Sequence, residues 1–176
     1  MYEYKVIENY ISKEEAYSFA EWAIQNQTKH PVFEKYYGSG KIPPHIDTEG
    51  KIDNLLSMAS EWFIDTYKVK NLVFDRTHGN IMYPGAILPA HKDKLDEYDL
   101  GRGPGNAYVC LLFLTDDYSG GNLLFPEQNA SFKPSAGDAI FFPGCLIAHG
   151  VSEVIDGIRV NLVNHFFGDL PESDTI

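Results

Sequence analysis

The spacing of apolar residues changes about 70 residues into the chain. Before that point, two segments carry apolar residues at helical spacing, from Lys13 to about Gln25 and from Lys51 to about Tyr67. The first segment follows Ser12, a predicted N-cap with Glu15 as its capping-box partner. A short apolar run at residues 6–11 precedes it and is predicted to be a strand. The pattern predicts N-terminal helices that pack against a sheet.

After this region the chain consists of short apolar or alternating runs. Gly, Pro, Asn or Asp separates most of them, a pattern typical of an antiparallel sandwich or barrel. The predicted strands cover residues 72–76, 80–83, 108–115, 122–125, 139–142, 146–153 and 159–167. We predict a mainly β fold with supporting α-helices. Residues 1–176 are expected to form a single domain, with helical support at 1–70 and a sheet core at 71–168.

Two irregular segments interrupt these elements. Tyr36 and Tyr37 lie in the first, among Gly and Pro residues, and either line a substrate groove or pin a long loop to the core. The second segment, residues 96–105, is rich in glycine and lies between Asp93 and the strand predicted at residues 108–115. Loops of this length often have a function, so it is a candidate lid, with a solvated linker as the alternative.

The charge balance narrows the function classes. Acidic residues outnumber basic ones by 25 to 14, and the net charge of -11 argues against non-specific binding to nucleic acid or to an anionic membrane. Cys110 and Cys145 lie in apolar runs and are predicted to be buried thiols, which fits a reducing compartment. No run approaches about 18 apolar residues, and the N-terminus has no signal-like apolar stretch. We therefore expect a cytoplasmic protein that binds no membrane.

The candidate chemistry begins at the stretch His91-Lys92-Asp93. Alternate residues of a strand share a face, so His91 and Asp93 can reach one point while Lys92 points away. His149, in a later apolar run, is the candidate for a third ligand. Two histidines and one carboxylate on one face of an ion form the facial triad of non-haem Fe(II) oxygenases. Three positions of an octahedral ion then remain open for a co-substrate and O₂.

Arg159 is the second chemical signal. It follows His149 by ten residues, with a turn signal at Asp156-Gly157 between them. We expect the two on hairpin partners, holding the ends of one dicarboxylate, because the fork of an arginine binds a carboxylate through two hydrogen bonds. A two-residue turn would place them on opposite faces, whereas a three-residue loop or a bulge restores a common face. The residues then facing the pocket are Arg159, Asn161, Val163 and His165.

Several further stretches occur in a specific order between about residues 80 and 167. They are Tyr83-Pro84-Gly85, His91-Lys92-Asp93, Gly120-Gly121, Gly137-Asp138, His149-Gly150-Val151 and Gly157-Ile158-Arg159. In this order they resemble the 2-oxoglutarate and Fe(II)-dependent dioxygenases, prolyl 4-hydroxylase-like branch. The resemblance implies a double-stranded β-helix, or jelly roll, with N-terminal helices.

The resemblance also implies a site and a reaction. It implies Fe(II) on His91, Asp93 and His149, the distal carboxylate of 2-oxoglutarate on Arg159, and Tyr83 on the co-substrate or at the pocket mouth. The implied reaction uses O₂, often with ascorbate in support, converts 2-oxoglutarate to succinate and CO₂, and hydroxylates an amino acid, peptide or protein. Prolyl hydroxylation is the leading case.

Two positions differ from the pattern of the relatives. Phe113 stands where many relatives carry a tyrosine, so one hydrogen bond to 2-oxoglutarate is expected to be missing, and His165 stands where several carry tryptophan. Asn161 and His165 are further candidates for the pocket, although either can instead satisfy a buried backbone group.

Two alternatives remain open. The stretches Tyr83-Pro84-Gly85 and Arg159-Val160-Asn161-Leu162 also resemble the AlkB-type oxidative demethylases of nucleic acid. Those carry a second arginine six residues after the first, where this chain has His165. A non-catalytic jelly-roll binding module or a cupin-like metal protein also fits the strand pattern. In that case the spacing among His91, Asp93, His149 and Arg159 would be a coincidence.

Overall fold

The computed structural model describes residues 2–29, 37–40, 50–93 and 106–169, without the side chains of residues 28, 29, 37–40 and 106. Tyr36, the side chain of Tyr37 and the loop 96–105 lie outside the described residues. The substrate-groove and lid roles therefore stay predictions.

The described part of the chain contains two α-helices, thirteen strands and a short 3-10 helix at Pro126–Gln128. The helices are α1 (Lys13–Gln25) and α2 (Lys51–Tyr67). The strands are β1 (Lys5–Ile7), β2 (Gln27–Lys29), β3 (Tyr37–Gly40), β4 (Val73–Met82), β5 (Leu88–His91), β6 (Asn106–Phe113), β7 (Ser119–Gly120), β8 (Leu123–Phe125), β9 (Ala130–Phe132), β10 (Ala139–Phe142), β11 (His149–Val151), β12 (Val154–Asp156) and β13 (Arg159–Gly168).

Both helices have the predicted bounds. At the start of α1 the Glu15 N–H donates to the Ser12 hydroxyl at 3.2 Å, and the Ser12 N–H donates back to the Glu15 carboxylate at 2.9 Å. This is the capping box that the sequence predicts. The buried stripe of α2 consists of Leu55, Ala59, Phe63 and Tyr67. These two helices form because an apolar stripe is available to pack on the sheet.

The strands form one large and one small antiparallel sheet, with a separate two-stranded pair. The large sheet has seven strands in the order β1-β10-β6-β13-β4-β3-β2, and the small sheet has four in the order β5-β11-β8-β9. The mainly β fold class is thus confirmed. The first 70 residues supply three strands of the large sheet as well as the helices.

Alternation along β6 divides the molecule into layers. Tyr108, Cys110 and Leu112 pack in one core with Phe63 of α2. Val109, Leu111 and Phe113 point the other way, into a core shared with the small sheet through Phe125. The helices therefore back the large sheet, and the small sheet covers its other face.

Some strand predictions differ from the structure. Residues 72–76 and 80–83 were expected as two strands, but β4 runs unbroken because it pairs with β13 on one side and β3 on the other. Asp93 lies two residues beyond the end of β5, whereas the sequence predicted it within a strand. The short strands β7, β9 and β12 carry too few residues for a periodic signal.

The predicted hairpin between His149 and Arg159 is wrong. His149 pairs with His91 in the small sheet, whereas β13, which begins at Arg159, pairs with β4 and β6 in the large sheet. The intervening β12 pairs with β7. A turn signal sets the local chain direction, but the partner of a strand depends on distant segments.

Two smaller expectations concern the burial of the cysteines and the absence of a membrane-spanning segment. Cys110 is buried as predicted, whereas Cys145 is only half-buried, and both are free thiols. Among the described residues, no helix combines the length and apolar character needed to cross a membrane.

Candidate active site

A cavity of about 200 Å³ lies between the large and the small sheet. The side chains of His91, Asp93 and His149 line it from the side of the small sheet. Those on the wall formed by the large sheet include His78, Asn80, Arg159, Asn161, Val163 and His165. All four residues predicted to face the pocket on β13 therefore do so, through alternation along that strand.

The structure brings His91, Asp93 and His149 together. One ligand atom from each lies within 4.8 Å of those of the other two. His91 Nε2 is 3.3 Å from Asp93 Oδ1, and His149 Nε2 is 3.5 Å from Asp93 Oδ2. Ligand atoms at about 2.1 Å from one ion and at right angles to each other lie about 3 Å apart, so this cluster has the dimensions of a metal site.

Local backbone geometry holds this cluster. His91 ends β5 opposite His149, which begins β11. The Asp93 N–H donates to the carbonyl oxygen of Gly144 at 2.9 Å, which fixes the chain beyond the strand. A methyl group at Gly144 would overlap the Asp93 carboxylate, so only glycine leaves room for it there.

Both imidazoles turn the same nitrogen toward the centre of the cluster. The Nδ1–H of His91 donates to the Pro89 carbonyl oxygen at 2.9 Å, and that of His149 donates to the Ile147 carbonyl oxygen at 3.0 Å. These bonds select the tautomer whose Nε2 lone pair is available as a ligand. The donor set is thus one carboxylate and two oriented imidazoles.

The electrostatics favour the metal-binding form of Asp93 and His149, whereas His91 must lose a proton to bind a metal ion. Burial acts to raise the pKa of Asp93, but the neighbouring imidazoles of His91, His149 and His165 outweigh it, so the pKa lies below its ordinary value. Burial lowers the pKa of His149, whereas the hydrogen bond with Asp93 raises that of His91. An ionised carboxylate and a neutral imidazole are the states that bind a metal ion.

Arg159 lies in another part of the same cavity and is 1% exposed. Its Nε–H donates to the Gly121 carbonyl oxygen at 3.1 Å, and one Nη–H donates to Asn161 Oδ1 at 2.5 Å. The guanidinium also lies 5.2 Å from the centre of the Phe113 ring. These contacts hold a planar cation in one orientation, which suits recognition of a carboxylate.

Tyr83 is the predicted site residue that the structure does not place in the cavity wall. Its hydroxyl donates to Gln27 Oε1 at 2.8 Å and accepts from Gln27 Nε2 at 2.6 Å. Its ring packs against the core between the large sheet and the helices. The expectation that Tyr83 lies on the co-substrate or at the pocket mouth stays a prediction, and in this structure the phenol is hydrogen-bonded to Gln27.

A pair of imidazoles completes the wall. His78 of β4 and His165 of β13 stack with ring centres 5.3 Å apart. Burial lowers the pKa of both, that of His78 to about 4, so both are neutral near pH 7. Each ring then offers one donor and one acceptor nitrogen. His165 was predicted for the pocket, and His78 was missed.

Other residues at this site were also missed, for reasons that differ. His78 and Asn80 alternate along β4, so the periodicity that found the β13 residues was available for them too. Gly144 was missed because its role is to leave space for Asp93. Tyr118, which packs beside Arg159, belongs to a stretch with no strand periodicity.

Comparison with known proteins identifies a family. Residues 77–167 match the model of the 2OG-Fe(II) oxygenase superfamily. No curated protein sequence matches the chain significantly.

Solved structures match over nearly the whole chain. A viral collagen prolyl hydroxylase from Paramecium Bursaria Chlorella virus-1, in complex with 2-oxoglutarate, has a TM-score of 0.69 at 18% identity and covers 94% of this chain and 96% of that one. A Pseudomonas putida prolyl-4-hydroxylase has a TM-score of 0.66 at 15% identity, covering 95% and 93%. HygX from Streptomyces hygroscopicus, with nickel, 2-oxoglutarate and hygromycin B bound, has a TM-score of 0.66 at 16% identity, covering 94% and 83%. At these identities the likeness shows the fold, and it confirms the predicted jelly roll.

Proposed function

Because the chain belongs to the 2OG-Fe(II) oxygenase superfamily, we propose that it hydroxylates a peptide, protein or amino-acid substrate, with prolyl hydroxylation as the leading case. Family membership makes it a 2-oxoglutarate- and Fe(II)-dependent dioxygenase. We propose further that residues 1–176 act as one catalytic domain, with α1 and α2 packed behind the sheet that carries Arg159.

One observation carries the proposal: an oriented His-Asp-His cluster and a buried arginine line the same cavity. In the proposed site, His91, Asp93 and His149 hold Fe(II), and Arg159 binds the distal carboxylate of 2-oxoglutarate. When bound, these groups with O₂ supply the oxidant that hydroxylates the substrate, while 2-oxoglutarate is converted to succinate and CO₂. Ascorbate is proposed as a supporting reductant.

The protein itself contributes by positioning the metal ligands and the co-substrate and by excluding water from the cavity. The Nδ1–H bonds to backbone carbonyls keep both imidazoles turned toward the metal position. Arg159, held by Gly121 and Asn161, fixes the far end of the co-substrate. The apolar side chains of Leu111, Leu123, Phe142 and Val163 cover the remaining wall and limit the access of water.

The remaining polar side chains of the cavity wall favour a substrate group that carries no charge. His78 and His165 are uncharged near pH 7 because burial lowers the pKa of each. A neutral imidazole pair can hydrogen-bond to an amide, whereas it offers no charge to a phosphate. The net charge of -11 opposes binding of a phosphate backbone as well. We therefore favour a peptide or amino-acid substrate over a nucleic acid.

Metal and co-substrate are tested first without O₂. Fe(II) and 2-oxoglutarate are added anaerobically to the purified protein, and the visible spectrum is recorded. A weak charge-transfer band that needs both additions supports the chelate at this site. No band, with the protein folded by circular dichroism, contradicts the proposed ligand set.

The substrate class is tested with two panels in the presence of Fe(II), 2-oxoglutarate, ascorbate and air. One panel contains proline-bearing peptides and free amino acids, and the other contains methylated single-stranded DNA and RNA. A gain of one oxygen on a peptide or amino acid, coupled to succinate release, is expected. Loss of methyl groups from the oligonucleotides, with the first panel unchanged, would establish the AlkB-type alternative instead.

A further inference from the structure

A cation lies at the rim of the cavity, just beyond the residues that line it. Arg76 precedes His78 by two positions on β4, and in the register of the large sheet it is directly opposite His165 of β13. Both histidines line the cavity. Alternate residues of a strand share a face, as do directly opposite residues of neighbouring strands. Arg76 therefore stands on the cavity face of the large sheet, next to the two imidazoles.

The backbone is irregular at this point. The pairing of β13 with β4 is regular from Arg159 to His165, and the next residue, Phe166, pairs with Phe74, so Asp75 is left without a partner residue. One extra residue in one strand is a β-bulge, which is common beside active sites because it redirects a side chain. The regular wall of the cavity thus ends at the pair formed by His165 and Arg76.

The positive charge of Arg76 acts on both neighbouring rings. Burial is the largest cause of the lowered pKa of His78 and of His165, and the guanidinium of Arg76 acts in the same direction on each. A guanidinium does not lose its proton in proteins. The imidazole pair is thus uncharged near pH 7, and the residue beside it is a permanent cation.

The guanidinium of Arg76 can be reached from solvent, since the side chain is 43% exposed. In the part of the chain that the structure describes, Nε of Arg76 lies 3.7 Å from Oδ2 of Asp75, which is too long for a hydrogen bond. That oxygen of Asp75 is buried and has no hydrogen-bond partner among the described residues. A guanidinium has five N–H donors in a planar fork that matches a carboxylate. The fork of Arg76 is therefore available to a carboxylate that comes from outside the protein.

We propose that Arg76 binds a carboxylate of the substrate at the rim of the cavity, so that the protein prefers a free amino acid or an acidic peptide to a neutral substrate. This inference rests on the proposed function, since it concerns the substrate of the proposed hydroxylation. The uncharged imidazoles of His78 and His165 suit the amide or ring that enters the cavity, and the guanidinium holds the charged group outside it. The carboxylate is either the α-carboxylate of an amino acid or the side chain of an acidic residue in a peptide.

The position of Arg76 is distinct from that of the co-substrate site. Arg159 and His165, the partner of Arg76, are six residues apart on β13, which is about 20 Å at the rise of a strand. Arg159 is buried and held by Gly121 and Asn161, whereas Arg76 is exposed. The wall formed by the large sheet thus has one arginine at each end. The buried one is assigned to 2-oxoglutarate and the exposed one to the substrate.

The net charge of the chain does not prevent this contact. The charge of -11 belongs to the whole chain, and exposed charges more than about 8 Å apart are largely screened at physiological ionic strength. A carboxylate in contact with a guanidinium is attracted mainly by that cation. A phosphate backbone, in contrast, needs several Lys and Arg contacts.

The experiment uses pairs of probes in which an amide replaces a carboxylate. One pair is L-proline and L-prolinamide, and the other is a blocked peptide with glutamate or glutamine beside a proline. Dissociation constants are measured by isothermal titration calorimetry, anaerobically with Fe(II) and 2-oxoglutarate and again without either. The variants are Arg76→Gln and Arg76→Lys. Lys13→Gln is the matched control, because Lys13 is in α1 and pairs with Asp116 at 2.8 Å, away from the cavity.

The wild type should bind at least one carboxylate probe roughly three- to tenfold more tightly than its amide, as for a charge-assisted contact at a partly exposed site. Arg76→Gln should remove this preference, and Arg76→Lys should keep part of it, because lysine retains the charge but not the fork. Lys13→Gln should keep all of it, and added salt should weaken it. Melting temperatures of the Arg76 variants should stay close to that of the wild type, because the side chain is exposed. A preference in the proline pair alone indicates a free amino acid, and one in the peptide pair alone indicates an acidic residue.

Equal affinities within both pairs, or a preference that Arg76→Gln retains, would overturn the inference. Oxygen incorporation into the same probes is followed in air by mass spectrometry, which separates this inference from the proposed function. If the probes are hydroxylated with no preference for the carboxylate, the inference fails and the proposed function stands. If the preference depends on Arg76 but no probe is hydroxylated, the carboxylate site stands and the result counts against the proposed function.

Discussion

Two regions of the cavity share its space but are built differently. The metal end comprises His91, Asp93 and His149, and the Arg159 end comprises Arg159 and Asn161. At the metal end, the side chains of His91, Asp93 and His149 are 38%, 20% and 9% exposed, whereas Arg159 and Asn161 are each 1% exposed. The first is carried by the small sheet and the turn after β5, the second by β13 inside the large sheet.

The difference has a consequence for substitutions. His91 and Asp93 are partly exposed and lie at or just beyond the end of β5, so truncating either side chain creates little cavity. The metal end can therefore lose its function while the fold remains. Removing a fully buried and hydrogen-bonded cation leaves unpaired acceptors and an empty volume. The Arg159 end therefore combines recognition with stability, and substitutions there should affect both.

The largest effect is expected at the metal end. His91→Ala or Asp93→Ala should abolish conversion of 2-oxoglutarate to succinate, because each removes one of three proposed ligands. Melting temperatures should stay close to that of the wild type. Succinate release and differential scanning calorimetry measure the two quantities.

Lys92→Ala is the matched control for this pair. Lys92 lies between the two proposed ligands but points outward and pairs with Glu127 at 2.8 Å. Its variant should keep its activity. Succinate release from His91→Ala or Asp93→Ala at the wild-type rate would contradict the ligand assignment.

The second effect concerns the Arg159 end. Arg159→Ala should raise the 2-oxoglutarate concentration needed for turnover far more than the Fe(II) concentration. Loss of one partner of a buried charge pair costs about 2–5 kcal/mol, which is roughly 30- to 4000-fold in affinity. The same variant should melt at a lower temperature than either variant of the metal end.

Arg159→Lys tests whether charge alone suffices. It keeps the cation and loses the planar fork, so its affinity for 2-oxoglutarate should lie between those of the wild type and Arg159→Ala. Parallel titrations with Fe(II) and with 2-oxoglutarate measure this. Equal changes in both requirements would place Arg159 outside the co-substrate site.

A smaller effect is expected at Gly144, which supports the metal end without touching the metal position. The added methyl group of Gly144→Ala would overlap the Asp93 carboxylate and displace it. Displacing a ligand through its support typically costs 10- to 100-fold in metal affinity. Fe(II) titration should show this loss, and excess Fe(II) should restore turnover, as it cannot for Asp93→Ala. A Gly144→Ala variant with unchanged Fe(II) affinity would contradict this spatial role.

The two ends also differ in how well the sequence predicted them. His91, Asp93 and His149 are recognisable from residue type and spacing, and the structure brings them together although Asp93 lies outside the strand. Arg159 was predicted for the pocket, but through a hairpin that does not exist. Alternation along β13 was enough to orient Arg159, because successive side chains of a strand point to opposite faces whichever strand is its partner.

What the sequence could not predict depends on contacts between distant segments. The hydrogen bond between the Tyr83 hydroxyl and Gln27 joins residues that are 56 positions apart, so no local pattern indicates it. Gly144 matters because it leaves space for the Asp93 carboxylate, and this role leaves no periodic signal in the sequence. The helices were predicted with correct bounds because their signals, the capping box and the apolar stripe, are local.

The smallest effect is expected at Glu15 of α1, outside both ends of the cavity. Variants there serve as a reference for the variants of the two ends. Glu15 closes the capping box of α1 and pairs with Lys51 at the start of α2. These contacts, with Lys51 first and Ser12 next, lower the pKa of Glu15 to about 2. A carboxyl whose pKa is lowered on folding adds stability above its unfolded pKa, and that stability is lost as the pH falls toward the folded value.

Glu15→Gln should therefore be less stable than the wild type at pH 7, and the gap should narrow between about pH 4.5 and pH 2. Ser12→Ala should cost about 1 kcal/mol, as for loss of an N-cap. Neither variant should change the affinity for Fe(II) or 2-oxoglutarate, because α1 lies behind the large sheet. Urea unfolding at several pH values, with the two ligand titrations at pH 7, measures each quantity. A stability gap that does not vary with pH would contradict the argument that the lowered pKa of Glu15 stabilises the fold. A change in ligand affinity would show that α1 and the cavity are not independent.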